Sequence, residues 1–239
     1  MWIVLAAALT VTTVTTDTQT RVIAWPEGKS LAIEITVGNL RIEGSDRRDV
    51  EIVIERESPS TAQLDGLPVV VDDTPSRATV RVVQADGGSD PALRSNVTVR
   101  VPHAAVIDRV QVLEGRITIT RFSGTLTADI RRGPIEATDV SGTLRLETGI
   151  GSVVLTGARL SRDGLLRLRA FNGDVRLALA ERPADARIMA LALNGTITSQ
   201  IPLTMKDTWG PRFGETTLGT GEPVISLDVI TGAIEIKSP

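Results

Sequence analysis

The stretch from Leu126 to Ala137 reads LTADIRRGPIEA, and its pattern decides the fold. Apolar residues alternate with polar ones on both sides of Gly133, at the positions seven, five and three before it and two and four after it. Alternation with a period of two places one set of side chains on one face of an extended strand. The stretch therefore predicts two short strands that meet at a glycine corner and share one apolar face.

The same frame recurs along most of the chain. Seven glycines with five inward positions each give 35 sites, and all but Asp108, Thr148 and Ser199 are apolar. A glycine at such a corner adopts positive φ freely and has no Cβ where successive corners stack. The frame glycines, spaced by 18 and then by 22 residues in the central block, are Gly38, Gly115, Gly133, Gly151, Gly173, Gly195 and Gly232.

A repeating unit of two strands without a helix predicts an all-β fold. We expect a β-solenoid, a parallel β-helix-like coil with rungs of 18–22 residues that stack about 4.8 Å apart. This register aligns Ile117, Ile135 and Val153, and it puts the extra residues of the longer units into corners near 161–163 and 181–184. An antiparallel β-sandwich alternates too, but it has no reason to keep one glycine frame across seven strand pairs.

The chain divides into three predicted regions. Residues 1–20 include the uncharged run from Trp2 to Leu9, which is shorter than the about 20 apolar residues of a membrane span and predicts an export-signal remnant or a first strand. Residues 21–104 predict an irregular meander of strands that caps the coil or continues it irregularly. Residues 105–239 hold the repeats, with a long loop at 205–222 whose Trp209 and Phe213 we expect to cover the terminal rung.

Composition narrows the range of functions. The chain has 239 residues, a net charge of −3 and a pI of about 5.4. This net charge does not favour binding to nucleic acid or to an anionic membrane. Aromatic residues make up 3% of the chain, which is low for a protein that stacks on sugars or bases. Because there is no cysteine, disulfides and thiolate sites are excluded. We expect no cofactor and no metal, and membrane association only through the N-terminal segment.

Residues that could carry chemistry are few. His103 is the only histidine, which leaves a catalytic triad or a histidine metal cluster without partners. Solenoid enzymes that cleave polysaccharides use acids clustered on one outer face. The outward acids here are Asp129, Glu136, Glu147, Asp174 and Asp228. Arg169 interrupts the position that holds Asp129 and Glu147, so we predict a solvated face, no catalytic residues and no enzyme activity.

Three segments carry a family resemblance. They are LAIEITVGNLRIEG at 31–44, VTVRVP at 97–102 and GTGEPVISLDVITGAIEI at 219–236. Together they resemble the bacterial putative-adhesin family of β-strand-repeat proteins, a domain of unknown function, whose coils are written Ser-Gly-Asp-Ile; NGDV at 172–175 is the nearest copy. The resemblance implies an exported β-solenoid of the cell envelope, periplasm or surface, and the family offers no catalytic residues to transfer.

The leading hypothesis is therefore a non-catalytic, adhesin-like envelope or surface protein. Its face or loop is expected to meet a protein or a cell-wall partner. Two alternatives remain: a carbohydrate-active β-helix enzyme, and a bactofilin-like scaffold that polymerises in the cytoplasm.

Overall fold

The computed structural model describes residues 14–206 and 210–239, and the run from Trp2 to Leu9 lies outside this part. Strands make up 66% of the structure and helix 2%, which confirms the all-β prediction. The helical content of the described residues is the four-residue α1, so no membrane-spanning helix is present there. In chain order the elements are β1 (Thr15–Ala24), β2 (Ser30–Ser45), β3 (Asp49–Ser58), α1 (Thr61–Leu64), β4 (Val69–Asp73), β5 (Arg77–Val82), β6 (Arg94–Pro102), β7 (Val106–Thr120), β8 (Thr125–Arg132), β9 (Ile135–Thr138), β10 (Thr143–Ile150), β11 (Val153–Ala158), β12 (Leu165–Asn172), β13 (Val175–Leu179), β14 (Ala186–Ser199), β15 (Thr204–Lys206), β16 (Arg212–Leu218) and β17 (Val224–Lys237).

The predicted register of the repeats is confirmed. Ile117, Ile135 and Val153 are aligned on β7, β9 and β11, which pair in parallel, and all three side chains are fully buried. The extra residues of the 22-residue units lie in corners, because β11 ends at Ala158 before β12 begins at Leu165. The alternating apolar positions therefore form one buried core, as their spacing requires.

The prediction of a β-solenoid is wrong. The strands belong to one continuous sheet, and this sheet closes into a barrel of eight parallel strands instead of an open coil. Periodicity cannot separate the two folds, because each needs in-register parallel strands with one inward apolar face. The deciding feature is that β2, β7, β14 and β17 run unbroken through their frame glycines, so both halves of a repeat are joined in the same sheet.

Part of the region 21–104, for which we expected a meander that caps the coil or continues it irregularly, belongs to the same sheet as the repeats. β2 pairs in parallel with β7 from Ser30 to Glu43, so it extends the sheet instead of capping it. Antiparallel pairs, which a sandwich would have throughout, are confined in the described residues to β1–β3–β6, β4–β5 and the β14–β16–β15 group. The expected loop at 205–222 is largely a hairpin, since β15 and β16 occupy much of it and β16 pairs with β14.

The three polar inward positions each have a local explanation. Asp108 lies in a bulge of β7, so Ile107 takes the buried place opposite Leu31 and Asp108 faces outward. The Thr148 hydroxyl is buried and donates a hydrogen bond to the Gly133 carbonyl oxygen at 2.8 Å. The Ser199 hydroxyl donates to the Ile201 carbonyl oxygen at 2.7 Å. Buried polar groups are tolerated where they find such partners.

Candidate binding face

One outer face of the sheet carries two rows of polar side chains that cross the strands. The first, named the arginine row, lies six residues before the frame glycines. The second, named the mixed row, lies four residues before them. Cross-strand register aligns the arginine row as Thr127, Arg145, Arg167 and Ser226 on β8, β10, β12 and β17, and the mixed row as Asp129, Glu147, Arg169 and Asp228 on the same strands.

The two rows border a shallow cavity of about 290 Å³. Its polar lining comprises Thr127 and Arg145 with Asp129, Glu147, Arg167 and Arg169. A second cavity of about 300 Å³ adjoins it at Asp129 and is walled by Gly87 and Gly88, in the loop that follows β5. The face therefore offers a continuous polar depression across neighbouring strands.

Charges in the mixed row are only partly compensated, because Arg169 is its one cation beside three acids. Partial burial, with the nearby Glu147 carboxylate as a smaller cause, raises the pKa of the Asp129 carboxyl. An Arg169 nitrogen lies 3.8 Å from a Glu147 carboxylate oxygen, and the Arg169 guanidinium lies 4.7 Å from the centre of the Phe171 ring. Arg169 is thereby held between an acid and an aromatic ring.

The arginine row is different, because its two guanidinium groups lack partners. Arg145 and Arg167 are direct cross-strand neighbours and both are exposed. Within residues 14–206 and 210–239, neither makes an ion pair or a side-chain hydrogen bond. Like charges opposite each other on adjacent strands destabilise a sheet. The arrangement therefore leaves two cations free to bind an anion.

An apolar row lies beside the two polar rows. Phe171, Ile230 and Leu193 occupy the position two residues before a frame glycine on the neighbouring strands β12, β17 and β14. Leu193 is 40% exposed and the other two are half-buried. Phe213 of β16 lies opposite Leu191 and has the Lys206 ammonium 5.1 Å from its ring centre. Two of the three phenylalanines are thus on this surface, while the third, Phe122, is buried.

The five predicted acids do not form one cluster. Asp129 and Glu147 are brought together as cross-strand neighbours. Glu136 is on β9 and pairs with Arg116, whereas Asp174, in the corner before β13, accepts hydrogen bonds from Arg176 at 2.7 Å and from the Ala233 backbone N–H at 3.0 Å. Asp228 lies across Arg169 from Glu147. In the described ranges no three acid or histidine side chains are arranged to hold a metal ion.

His103 and the long loop have other roles. The His103 Nδ1 atom lies 2.7 Å from the Arg121 carbonyl oxygen, which it contacts as a donor, and Nε2 lies 3.3 Å from Asp46. The histidine thus ties a corner to its neighbour. Trp209 falls outside the described residues. Phe213 is part of β16 at the sheet margin.

A larger cavity lies elsewhere, at the corners that hold the extra residues. It measures about 530 Å³, and its lining includes Arg162, Glu181, Arg182 and Glu222. These side chains are exposed and carry both signs of charge. Asp185 accepts a hydrogen bond from the Thr220 backbone N–H at 2.7 Å, which binds the turn before β17 to this corner. The cavity is explained as a gap between packed corners.

Arg145 and Arg167 do not stand out in the sequence, because each is one of many arginines. The signal that finds them is their shared position, six residues before Gly151 and Gly173. Once the register is known, that position makes them neighbours. The same reasoning places Phe171 on the outer face of the sheet. The low aromatic content of the whole chain had suggested that there is no stacking surface.

Comparison with known proteins supports the fold. No family model matches the chain, and no curated protein matches it. A solved structure of a putative cell adhesion protein from Clostridium sporogenes is 14% identical, with a TM-score of 0.54, and the match covers 94% of this chain and 100% of that one. A putative adhesin from Bacteroides fragilis is 12% identical over 93% of this chain and 97% of that one, with a TM-score of 0.36. The chain therefore shares its fold with the Clostridium protein.

Proposed function

We propose that the protein is a non-catalytic, adhesin-like component of the cell envelope or surface that binds a partner through the arginine face. This face comprises the arginine row, the mixed row and the apolar row. The observation that carries the proposal is the pair of exposed, unpartnered guanidinium groups of Arg145 and Arg167 on a closed and extensively hydrogen-bonded sheet. The fold shared with a putative cell adhesion protein supports an adhesive role and export.

A carbohydrate-active enzyme is the second candidate, because Asp129 has a raised pKa next to Glu147. A protonated acid beside an ionised one is the arrangement that glycosidases use. Those enzymes, however, place the two carboxyl groups on either side of the scissile bond. Asp129 and Glu147 lie side by side on one open surface, and their side chains leave the same face of the sheet. Binding without turnover fits this geometry better.

The proposal is tested by sedimenting the purified protein with bacterial envelope fragments. We expect the wild type to co-sediment and the double variant Arg145→Gln/Arg167→Gln to remain largely in solution. The matched control is Arg116→Gln/Arg176→Gln, which removes two exposed cations from the strands that follow the glycine corners. It should co-sediment like the wild type.

Release of reducing sugar is measured on the same fragments. No release is expected from either the wild type or Asp129→Asn. Equal co-sedimentation of the wild type and the two double variants would contradict a role for the arginine face. Sugar release by the wild type that Asp129→Asn abolishes would favour the enzyme.

A further inference from the structure

The geometry points to an acidic polysaccharide, a sugar chain that carries carboxylate or sulfate groups, as the ligand of the arginine face. This inference rests on the proposed function and specifies the chemistry of the partner. It follows from three features that lie side by side on the same surface: two free cations, a row of hydrogen-bond acceptors and a row of apolar side chains.

The cations provide the anion site. Arg145 and Arg167 are on adjacent parallel strands, which are about 4.8 Å apart, so both guanidinium groups can reach one carboxylate or sulfate. Guanidinium binds such anions through two parallel hydrogen bonds. The row ends in hydroxyl groups on both sides: Thr127 can donate a further hydrogen bond, whereas the Ser226 hydroxyl donates to the Asp228 carboxylate at 3.5 Å.

Arginines of the sheet that have an acidic partner are not available in this way. Arg116 pairs with Glu136 on the neighbouring strand, and Arg132 lies 3.8 Å from Glu114. Glu114 is the direct cross-strand partner of Arg132, and Glu136 lies on β9, which pairs in parallel with β7, the strand of Arg116. At Arg145 the cross-strand partner is another arginine, and an anionic ligand would relieve the repulsion between the two.

The mixed row favours a ligand that presents hydroxyl donors beside its anionic groups, as a sugar chain does. The carboxylates of Asp129, Glu147 and Asp228 accept hydrogen bonds, and the hydroxyl groups of a sugar donate them. Lipid phosphates and nucleic-acid backbones would instead place negative charge against these carboxylates. An anionic membrane or a nucleic acid therefore fits the arginine row and is repelled by the row beside it.

The apolar row provides a surface for sugar rings. Phe171, Ile230 and Leu193 offer apolar contact area to the C–H face of a pyranose ring. Positions six and two residues before a frame glycine are about 13 Å apart along a strand. A single sugar unit cannot contact both rows, so the ligand that fits the whole face is a chain.

Isothermal titration calorimetry tests this inference on the full chain. The probes are oligogalacturonate, a sulfated heparin-type oligosaccharide, neutral dextran oligomers, phosphatidylglycerol vesicles and single-stranded DNA. We expect binding to at least one acidic oligosaccharide, weakening with added salt, and none to dextran. Arg145→Gln/Arg167→Gln should raise the Kd at least about tenfold, because charge-assisted hydrogen bonds are lost. Arg116→Gln/Arg176→Gln should leave the Kd within about twofold, and circular dichroism checks that both variants fold.

Three results would overturn the inference: no binding to either acidic oligosaccharide, equal binding to dextran, or tighter binding to the vesicles or the DNA. If one of these results is obtained while envelope fragments bind the wild type and not Arg145→Gln/Arg167→Gln, the proposed function stands and only the ligand class is wrong. If envelope fragments bind neither protein, the proposed function itself fails.

Discussion

Substitution of Gly133 by alanine should destabilise the protein strongly, because the frame glycines stack with no room between them. Gly133 has a φ of +138°, and a Cβ at this position would overlap the carbonyl oxygen of Gly115 on the neighbouring corner. The Gly133 N–H also donates a 2.7 Å hydrogen bond to the Ile150 carbonyl oxygen. Both neighbours are backbone atoms of a closed sheet, so neither can move aside by a rotamer change.

The magnitude follows from these contacts. A non-glycine residue at such a φ costs about 1–3 kcal/mol. Loss of a backbone hydrogen bond costs about 0.5–1.5 kcal/mol more. With the overlap against Gly115 added, we expect Gly133→Ala to lower the free energy of unfolding by about 3–5 kcal/mol, a large part of the about 5–15 kcal/mol that holds a domain together.

Gly87→Ala is the matched control. Gly87 also has a positive φ, of +71°, but a Cβ there would meet no atom within 4 Å. Its cost is therefore limited to the left-handed conformation, about 1–2 kcal/mol. Urea unfolding followed by circular dichroism measures both variants, and the unfolding midpoint should fall much further for Gly133→Ala. Equal midpoints would refute the claim that the corners are closely stacked.

Three further predictions concern charged side chains. Because the pKa of Asp129 in the folded state is raised above its ordinary 3.8, the folded state loses stability as the pH rises from 3.8 through the folded pKa. Asp129→Asn should therefore stabilise the protein at pH 7 and lose this advantage at acidic pH. Thermal melts at several pH values test this prediction, and a pH-independent effect would contradict it. In the absence of ligand, Arg167→Gln should raise the free energy of unfolding by a few tenths of a kcal/mol to about 1 kcal/mol, because it removes the repulsion from Arg145. Urea unfolding measures this, and a loss of stability would count against the repulsion. Lys29 is buried and pairs with Asp73, and its ammonium also donates to the Ala24 carbonyl oxygen at 3.1 Å. Asp73→Ala leaves the buried ammonium without its counter-ion, so it should cost about 1–3 kcal/mol and more than Lys29→Met in the same assay; the reverse order would disprove it.

The sequence predicts the inward face and the register of this protein well. Side chains such as Leu144 and Leu166 are buried and opposite each other, because alternation fixes the face and constant spacing fixes the pairing. Closure is not predictable in the same way. The sequence at a frame glycine is the same whether the chain turns sharply there or continues in one long strand. β14 and β17 continue in this way through Gly195 and Gly232.

The candidate site could be predicted in part. Arg145 and Arg167 are separated by 22 residues, and the frame alone makes them neighbours. Averages over the whole chain do not reveal the site, because a net charge of −3 and an aromatic content of 3% do not locate individual charged or aromatic side chains. That Arg169 would turn toward Glu147 and Phe171 while Arg145 stays unpaired depends on side-chain geometry that a linear pattern does not contain.

A ligand footprint tests the arginine face most directly, and the absence of cysteine from the chain makes it simple. Thr127 lies in the arginine row, whereas Thr118 is a half-buried threonine on β7 beyond the glycine corner. Each is replaced separately by cysteine, and the rate of thiol modification is measured with and without the acidic oligosaccharide. We expect the ligand to slow modification at Thr127→Cys and to leave the rate at Thr118→Cys unchanged. Equal protection of both positions, or of neither while binding persists, would contradict it.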